Sequence, residues 1–256
     1  MFRPRVIPVL LLKGKGLVKT VHFNKEKAIY IGDPINAVKI FNDRKADELV
    51  FLDITATREN RIVSLELMQK VGDEANMPFA VGGGIRSIEH IRDILSAGAE
   101  KVVINSYAFE NPEFIKQASD TFGSSTIVVS IDVKKRLLGK EQVYINSGTN
   151  ATGIDPVDFA ILMAQMGAGE IIINSIDKDG TMEGYDLELV RKVSESVNIP
   201  VIALGGAGKS EHLRQAIIEG AASAVAAGSY FVFHGPRRAV LISFPSKLEL
   251  STMFNI

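Results

Sequence analysis

The sequence predicts an α/β fold, a (β/α)8 TIM barrel, on three observations. Short apolar runs recur eight times, separated by helix-period segments. The 256 residues match eight βα units in one domain. The second half of the chain also repeats features of the first. The runs are continuously apolar rather than alternating, as expected of parallel strands covered on both faces. A doubly wound sheet is the alternative, but it has no reason to stop at eight units.

The runs cover residues 6–12, 49–53, 79–82, 101–105, 126–132, 170–174, 201–205 and 222–227. The first follows Arg3 and Arg5 and imitates a signal peptide. It is short, however, and Lys13-Gly14-Lys15-Gly16 follows in place of a small-residue cleavage site. It reads as a buried strand. The third and seventh runs end in glycine clusters, Gly82-Gly83-Gly84 and Gly205-Gly206-Ala207-Gly208, with helix patterns at 87–97 and 210–219 behind them. Such turns let backbone N–H groups close around an anion beside a helix N-terminus. A single one is weak evidence, but two in one chain suggest a ligand with two phosphates or a duplicated site. Two long irregular stretches, 13–32 and 134–153, follow strands one and five, where lids are commonly built.

The repeat sets Gly82 on Gly205 at an offset of 123. It sets Glu48 on Glu170, His90 on His212, Gly98 on Gly220, and Asn105-Ser106 on Ala227-Gly228, each at an offset of 122. The expected organisation is a single barrel over 1–256 built from half-barrels of about 1–123 and 124–256. Its functional face lies at the C-terminal ends of the strands.

Composition narrows the function. A net charge of −1 argues against nucleic acid and membrane surfaces as partners. The absence of cysteine excludes thiol chemistry and disulfides. His22, His90, His212 and His234 lack metal-ligand spacing, so no metal or other cofactor is expected, and His90 and His212 read as surface positions on helices. No run approaches the ~18 apolar residues of a membrane span. A cytoplasmic location is expected.

Polar residues at strand ends are the chemical candidates. Asp132 interrupts an apolar strand, and a carboxylate there must be hydrogen-bonded or functional. Asp53 and the stretch from Ser175 to Thr181 can serve chemistry or cap loops, and Asn105 and Ser106 can donate to a substrate. The repeat places Leu11 opposite Asp132, so a two-carboxylate mechanism is unavailable. At the strand starts, Arg5, Glu48, Lys101 and Glu170 read either as solvated rim charges or as an ion-pair ring across the barrel axis.

These residues resemble the HisF family, cyclase subunits of imidazole glycerol phosphate synthase, over nearly the whole length. The matching stretches are Asp47-Glu48-Leu49-Val50-Phe51-Leu52-Asp53-Ile54-Thr55, Val81-Gly82-Gly83-Gly84-Ile85, Ser175-Ile176-Asp177-Lys178-Asp179-Gly180-Thr181-Met182-Glu183-Gly184-Tyr185-Asp186, and Gly205-Gly206-Ala207-Gly208. The resemblance implies a HisH-like glutaminase docked at the barrel bottom, with ammonia passing through the core to a bis-phosphorylated substrate. It implies phosphate or substrate binding by Gly82, Gly83, Gly84, Asn105, Ser106, Asp177, Gly180, Gly205, Gly206, Ala227 and Gly228. It also implies an ammonia gate of Arg5, Glu48, Lys101 and Glu170. One catalytic aspartate matches Asp132, while the other falls on Leu11: the family's Leu-Asp-Val-Lys reads Leu10-Leu11-Leu12-Lys13 here. A kept gate with a broken catalytic pair is similar to the WbuZ group of surface-polysaccharide (O-antigen, lipopolysaccharide) loci. Its members are associated with an N-acetyl sugar amidotransferase that makes acetamidino groups. The alternatives are a true cyclase of histidine biosynthesis and a HisA-like sugar-phosphate isomerase.

Overall fold

The computed structural model describes residues 3–136 and 140–255. Among these, eight parallel strands close a barrel: β1 (Arg5–Lys13), β2 (Leu49–Asp53), β3 (Phe79–Gly82), β4 (Lys101–Ile104), β5 (Ile127–Lys135), β6 (Glu170–Ser175), β7 (Val201–Leu204) and β8 (Ala224–Ala227). Each pairs with the next, and β8 returns to β1 with Arg5 opposite Ala224. Helices α1 (Pro34–Arg44), α2 (Leu65–Glu74), α3 (Ile88–Ser96), α4 (Pro112–Phe122), α5 (Pro156–Gln165), α6 (Leu187–Ser196), α7 (Ser210–Ile218) and α8 (Lys247–Phe254) alternate with the strands. None is long and apolar enough to cross a membrane.

Two apolar layers follow from the continuous runs. One face of each strand packs outward under the helices, with Phe41, Phe51 and Phe159 fully buried there. The other face fills the barrel with Ile7, Val9, Val50, Val103, Val128, Ile172 and their neighbours. Helix starts follow local chemistry: Asp33 and Asp155 cap helices whose first residue is proline, and Ser64, Ser87 and Asp186 accept from backbone N–H groups of the first turn.

The structure corrects four expectations. Strand β5 runs three residues past Asp132, because its end pairs with a hairpin strand at Glu141–Ile145. The stretches 13–32 and 134–153 are therefore β-ribbons rather than irregular loops: Gly16–Lys19 pairs with Ile29–Gly32, and Glu141–Ile145 with Asn150–Ala151. Within the second stretch, residues 137–139 lie outside the described residues. The glycine turns superpose at an offset of 122, not 123. Gly83 and Gly205 begin the left-handed turns, with φ of +135° and +91°, followed by Gly84 and Gly206 at +70° and +112°. Gly82 is still in β3, opposite Leu52, as Leu204 is in β7 opposite Asn174. Finally, His212 is buried rather than superficial: its Nδ1 accepts the Gly208 N–H at 3.1 Å, as His90 Nδ1 accepts the Arg86 N–H at 3.3 Å.

Candidate functional site

The C-terminal ends of the strands surround a cavity of about 150 Å³. Both glycine turns border it, as do Leu11, Asn105, Ser106, Asp132, Gly180, Ala227 and Gly228. The turns are shaped by close approach. A Cβ on Gly84 would lie 1.8 Å from the Arg61 carbonyl oxygen, and one on Gly206 would lie 2.1 Å from that of Gly184. Asp177 does not border the cavity. Its Oδ2 accepts the Lys135 N–H at 2.9 Å and ties the end of β5 to the loop after β6. Asp179, two residues on, borders the cavity instead.

Asp132 is held by two amides: Asn105 Nδ2 donates to Oδ2 at 3.0 Å, and Asn174 Nδ2 to Oδ1 at 3.1 Å. Burial pushes its carboxyl up to about 7 and the nearby Asp179 adds to the rise, while both amide donors oppose it. A carboxyl near neutrality can both donate and accept a proton. Asp53, by contrast, is spent on structure. It pairs with Arg61 at 2.6 Å and accepts from the Thr55 and Ala56 N–H groups at 3.0 and 3.1 Å. Ser106 Oγ donates to Asn105 Oδ1 at 3.2 Å and accepts the Asn146 N–H at 2.9 Å.

Two lysines that do not stand out in the sequence also border the cavity. Lys19 is 4% exposed on the first ribbon, and its Nζ donates to the Val9 carbonyl at 2.6 Å. Burial lowers this ammonium and raises Asp179, and the attraction between the two opposes both shifts. A Cβ on Gly228 would stand 2.1 Å from Lys19 Nζ, so a side chain there would displace the end of the lysine. Lys25, at the ribbon tip, donates to the Ile54 carbonyl and, at 2.9 Å, to Ser147 Oγ of the second ribbon. Burial, then the nearby Arg58, lowers it to about 8. Lys19 carried a signal, an amine after Leu17 and Val18, which are buried with it, whereas Lys25 lies between Asn24 and Glu26 and carried none.

At the opposite end the four strand-start charges form a closed ring. Arg5 reaches Glu48 at 2.5 Å and Glu170 at 2.7 Å, and Lys101 Nζ reaches the same two carboxylates at 3.1 and 3.2 Å. Burial differs around it, with the side chain of Glu48 4% exposed and that of Arg5 32%. Paired with both acids, Arg5 is pulled above its ordinary range although its burial works against this.

The profile of the family described as "Histidine biosynthesis protein" matches residues 5–236. A protein of Alkaliphilus metalliredigens named "Imidazole glycerol phosphate synthase subunit HisF" is 45% identical over 234 residues, 91% of this chain and 92% of its own. Two relatives bear the name provisionally. The Pseudomonas aeruginosa subunit hisF2 is 48% identical over 250 residues, 98% of this chain and 99% of its own. The Leptospira borgpetersenii HisF is 45% identical over 255 residues, 99% of this chain and 100% of its own. The chain belongs to the HisF branch of the histidine biosynthesis family. Leu11 and Asp132 hold corresponding places in the top layer of the barrel, on β1 and β5. Leu11 lies in register with Leu52, as Asp132 lies in register with Asn174. One side of this HisF mouth is therefore Leu-Leu and the other Asp-Asn.

Proposed function

We propose that this chain is the ammonia-conducting subunit of a glutamine-dependent amidotransferase. A HisH-like glutaminase docks at the barrel bottom, and its ammonia crosses the interior to the mouth. The observation that carries this reading is the closed ring of Arg5, Glu48, Lys101 and Glu170 beneath an apolar barrel interior. Fully paired charges hold back hydrated ions at the entrance. Neutral ammonia, unlike ammonium, crosses an apolar interior without the cost of burying a charge.

In this reading the Leu11 side of the mouth leaves cyclisation impaired, and the ammonia is used by a partner. The acceptor is an acetamido group of a surface-polysaccharide sugar, converted to acetamidino by an N-acetyl sugar amidotransferase. Leu11 in the aspartate position supports this, since an aliphatic side chain moves no proton.

A second reading, a working cyclase of histidine biosynthesis, is favoured by the near-neutral Asp132 and by both glycine turns bordering one cavity. One experiment separates them: the purified chain is supplied with an ammonium salt at high pH and the bis-phosphorylated ribulosyl substrate. The first reading expects no imidazole glycerol phosphate, and substantial turnover overturns it in favour of the second.

A further inference from the structure

Asn174 carries an unmet hydrogen bond. It is 5% exposed, its Nδ2 donates to Asp132, and its Oδ1 is buried without a donor. A buried acceptor left unpaired is destabilising, because its lost hydration is not replaced. Gly205 lies against that oxygen. A Cβ built there would stand 2.5 Å from Asn174 Oδ1 and 2.8 Å from the Ser175 carbonyl oxygen. Two acceptors, Asn174 Oδ1 and the Ser175 carbonyl oxygen, thus crowd one place beside Gly205, and Asn174 Oδ1 has no donor there.

Half a turn of the amide exchanges its two ends, setting Nδ2 on the Ser175 side and Oδ1 against Asp132. With Asp132 ionised, this sets oxygen against oxygen. With Asp132 protonated, its O–H donates to Asn174 Oδ1 while the amide N–H faces Ser175. The protonated acid is thus the state in which both ends of the amide are matched. The other half of the barrel supplies a second observation. The positions corresponding to Asp132 and Asn174 hold Leu11 and Leu52, so the amide stands only beside the carboxyl.

We infer that Asn174 is the positioning residue of Asp132, an amide that turns as Asp132 gains or loses its proton, offering Nδ2 to the carboxylate and Oδ1 to the acid. The turn breaks no covalent bond, and the proton enters and leaves through Asp132 by exchange with water or a bound ligand. A carboxyl near neutrality agrees with such a device. The other charged groups bordering the cavity are Lys19 and Lys25 on the first ribbon, Asp53 ending β2, Arg86 before α3, and Asp179 after β6. Arg61 neutralises Asp53, and Asp179 acts directly on Asp132, so Asp179 is the group to control for. The inference holds whether or not the chain conducts ammonia, because its test reads the amide itself.

The test is a pH series of nuclear Overhauser effects on the full-length protein carrying labelled asparagine. The expected result is a cross-peak between the Asn174 Nδ2 protons and the Gly205 Hα protons below neutrality, lost above it. The transition persists in Asp179→Asn and disappears in Asp132→Leu. A structural asparagine would not reorient with pH. A cross-peak present at every pH, or absent at every pH, overturns the inference, as does a transition that survives Asp132→Leu.

Discussion

Leu11 occupies in β1 the place Asp132 occupies in β5, each facing the register partner that suits it: Leu52 for the leucine, Asn174 for the aspartate. The top layer of the barrel is therefore polar along one arc and apolar along the other. Leu11→Asp adds a carboxyl across the cavity from Asp132, beside those of Asp53 and Asp179 that already border it. Two carboxyls in one desolvated space raise each other's affinity for the proton, so one becomes an acid while the other stays a base. Ammonia-dependent cyclisation is expected to rise by ~10²–10⁴-fold over the native chain, the usual worth of one acid/base group. Steady-state assays of both proteins at several ammonium concentrations check this. No gain would mean that the mouth has lost more than the carboxylate.

Asp132 also gives stability a pH dependence of definite sign. Its carboxyl rises from 3.8 to about 7 on folding. Between those values the folded protein keeps a proton that the unfolded chain has released. The contribution is full below the unfolded value and is lost as pH rises through the folded one. At 1.36 kcal/mol per unit the swing is roughly 4 kcal/mol. Urea denaturation of Asp132→Asn beside the native chain is expected to show the variant gaining on the native protein from pH 4 to pH 8. Asp179, also raised by burial and acting on Asp132, is controlled for by repeating the comparison in an Asp179→Asn background. A constant difference across that range would contradict the buried, proton-holding Asp132.

Much of this was legible in the sequence because burial on both faces writes a continuous apolar run. Strands β2 and β3 fell on the expected residues for that reason. Asp132 stood out as a charge inside such a run. Asn174 ends the run Ile171-Ile172-Ile173 in the same way, and the argument applied to Asp132 would have reached it. Lys19 was hidden because its ribbon strand is four residues long and its burial comes from the barrel it folds onto. The reach of Asp177 to Lys135 depends on how far β5 extends, which tertiary pairing decides. His212 was misplaced because helical spacing locates a face but does not show that the Gly208 N–H closes over it.

The ring at the barrel bottom yields a stability test as well as a functional one. Lys101→Met leaves Glu48 and Glu170 to share Arg5, the more exposed of the two cations. The expected loss is about 3 kcal/mol, the low end for removing one partner of a buried ion pair, since Arg5 still reaches both acids. Adding Glu48→Gln should recover part of it, since one surplus anion is removed. Urea midpoints of the single and double variants decide the matter. A Lys101→Met protein as stable as the native one would return these residues to solvated rim charges, which contribute little. With a glutaminase bound, the same variant is expected to loosen the coupling between glutamine hydrolysis and ammonia use at the mouth.

The glycine turns separate steric necessity from backbone preference. Gly84 and Gly123 both hold positive φ, +70° and +86°. Any L-residue is strained at both, and Gly123, with ψ of 143°, lies outside the left-handed well in backbone space kept almost wholly for glycine. Their surroundings differ. A Cβ on Gly84 would meet the Arg61 carbonyl at 1.8 Å, whereas one on Gly123 has nothing within 4 Å. Gly123→Ala should therefore cost only the backbone term, and Gly84→Ala distinctly more. The clash would also push Arg61 away from Asp53 and distort the turn bordering the cavity. Calorimetric binding of inorganic phosphate or pyrophosphate, run beside thermal denaturation, should show Gly84→Ala losing both affinity and stability while Gly123→Ala keeps its affinity. Equal affinity in the two variants would mean that the Gly82–Gly84 turn holds no anion and is glycine-rich because Arg61 and Asp53 crowd it.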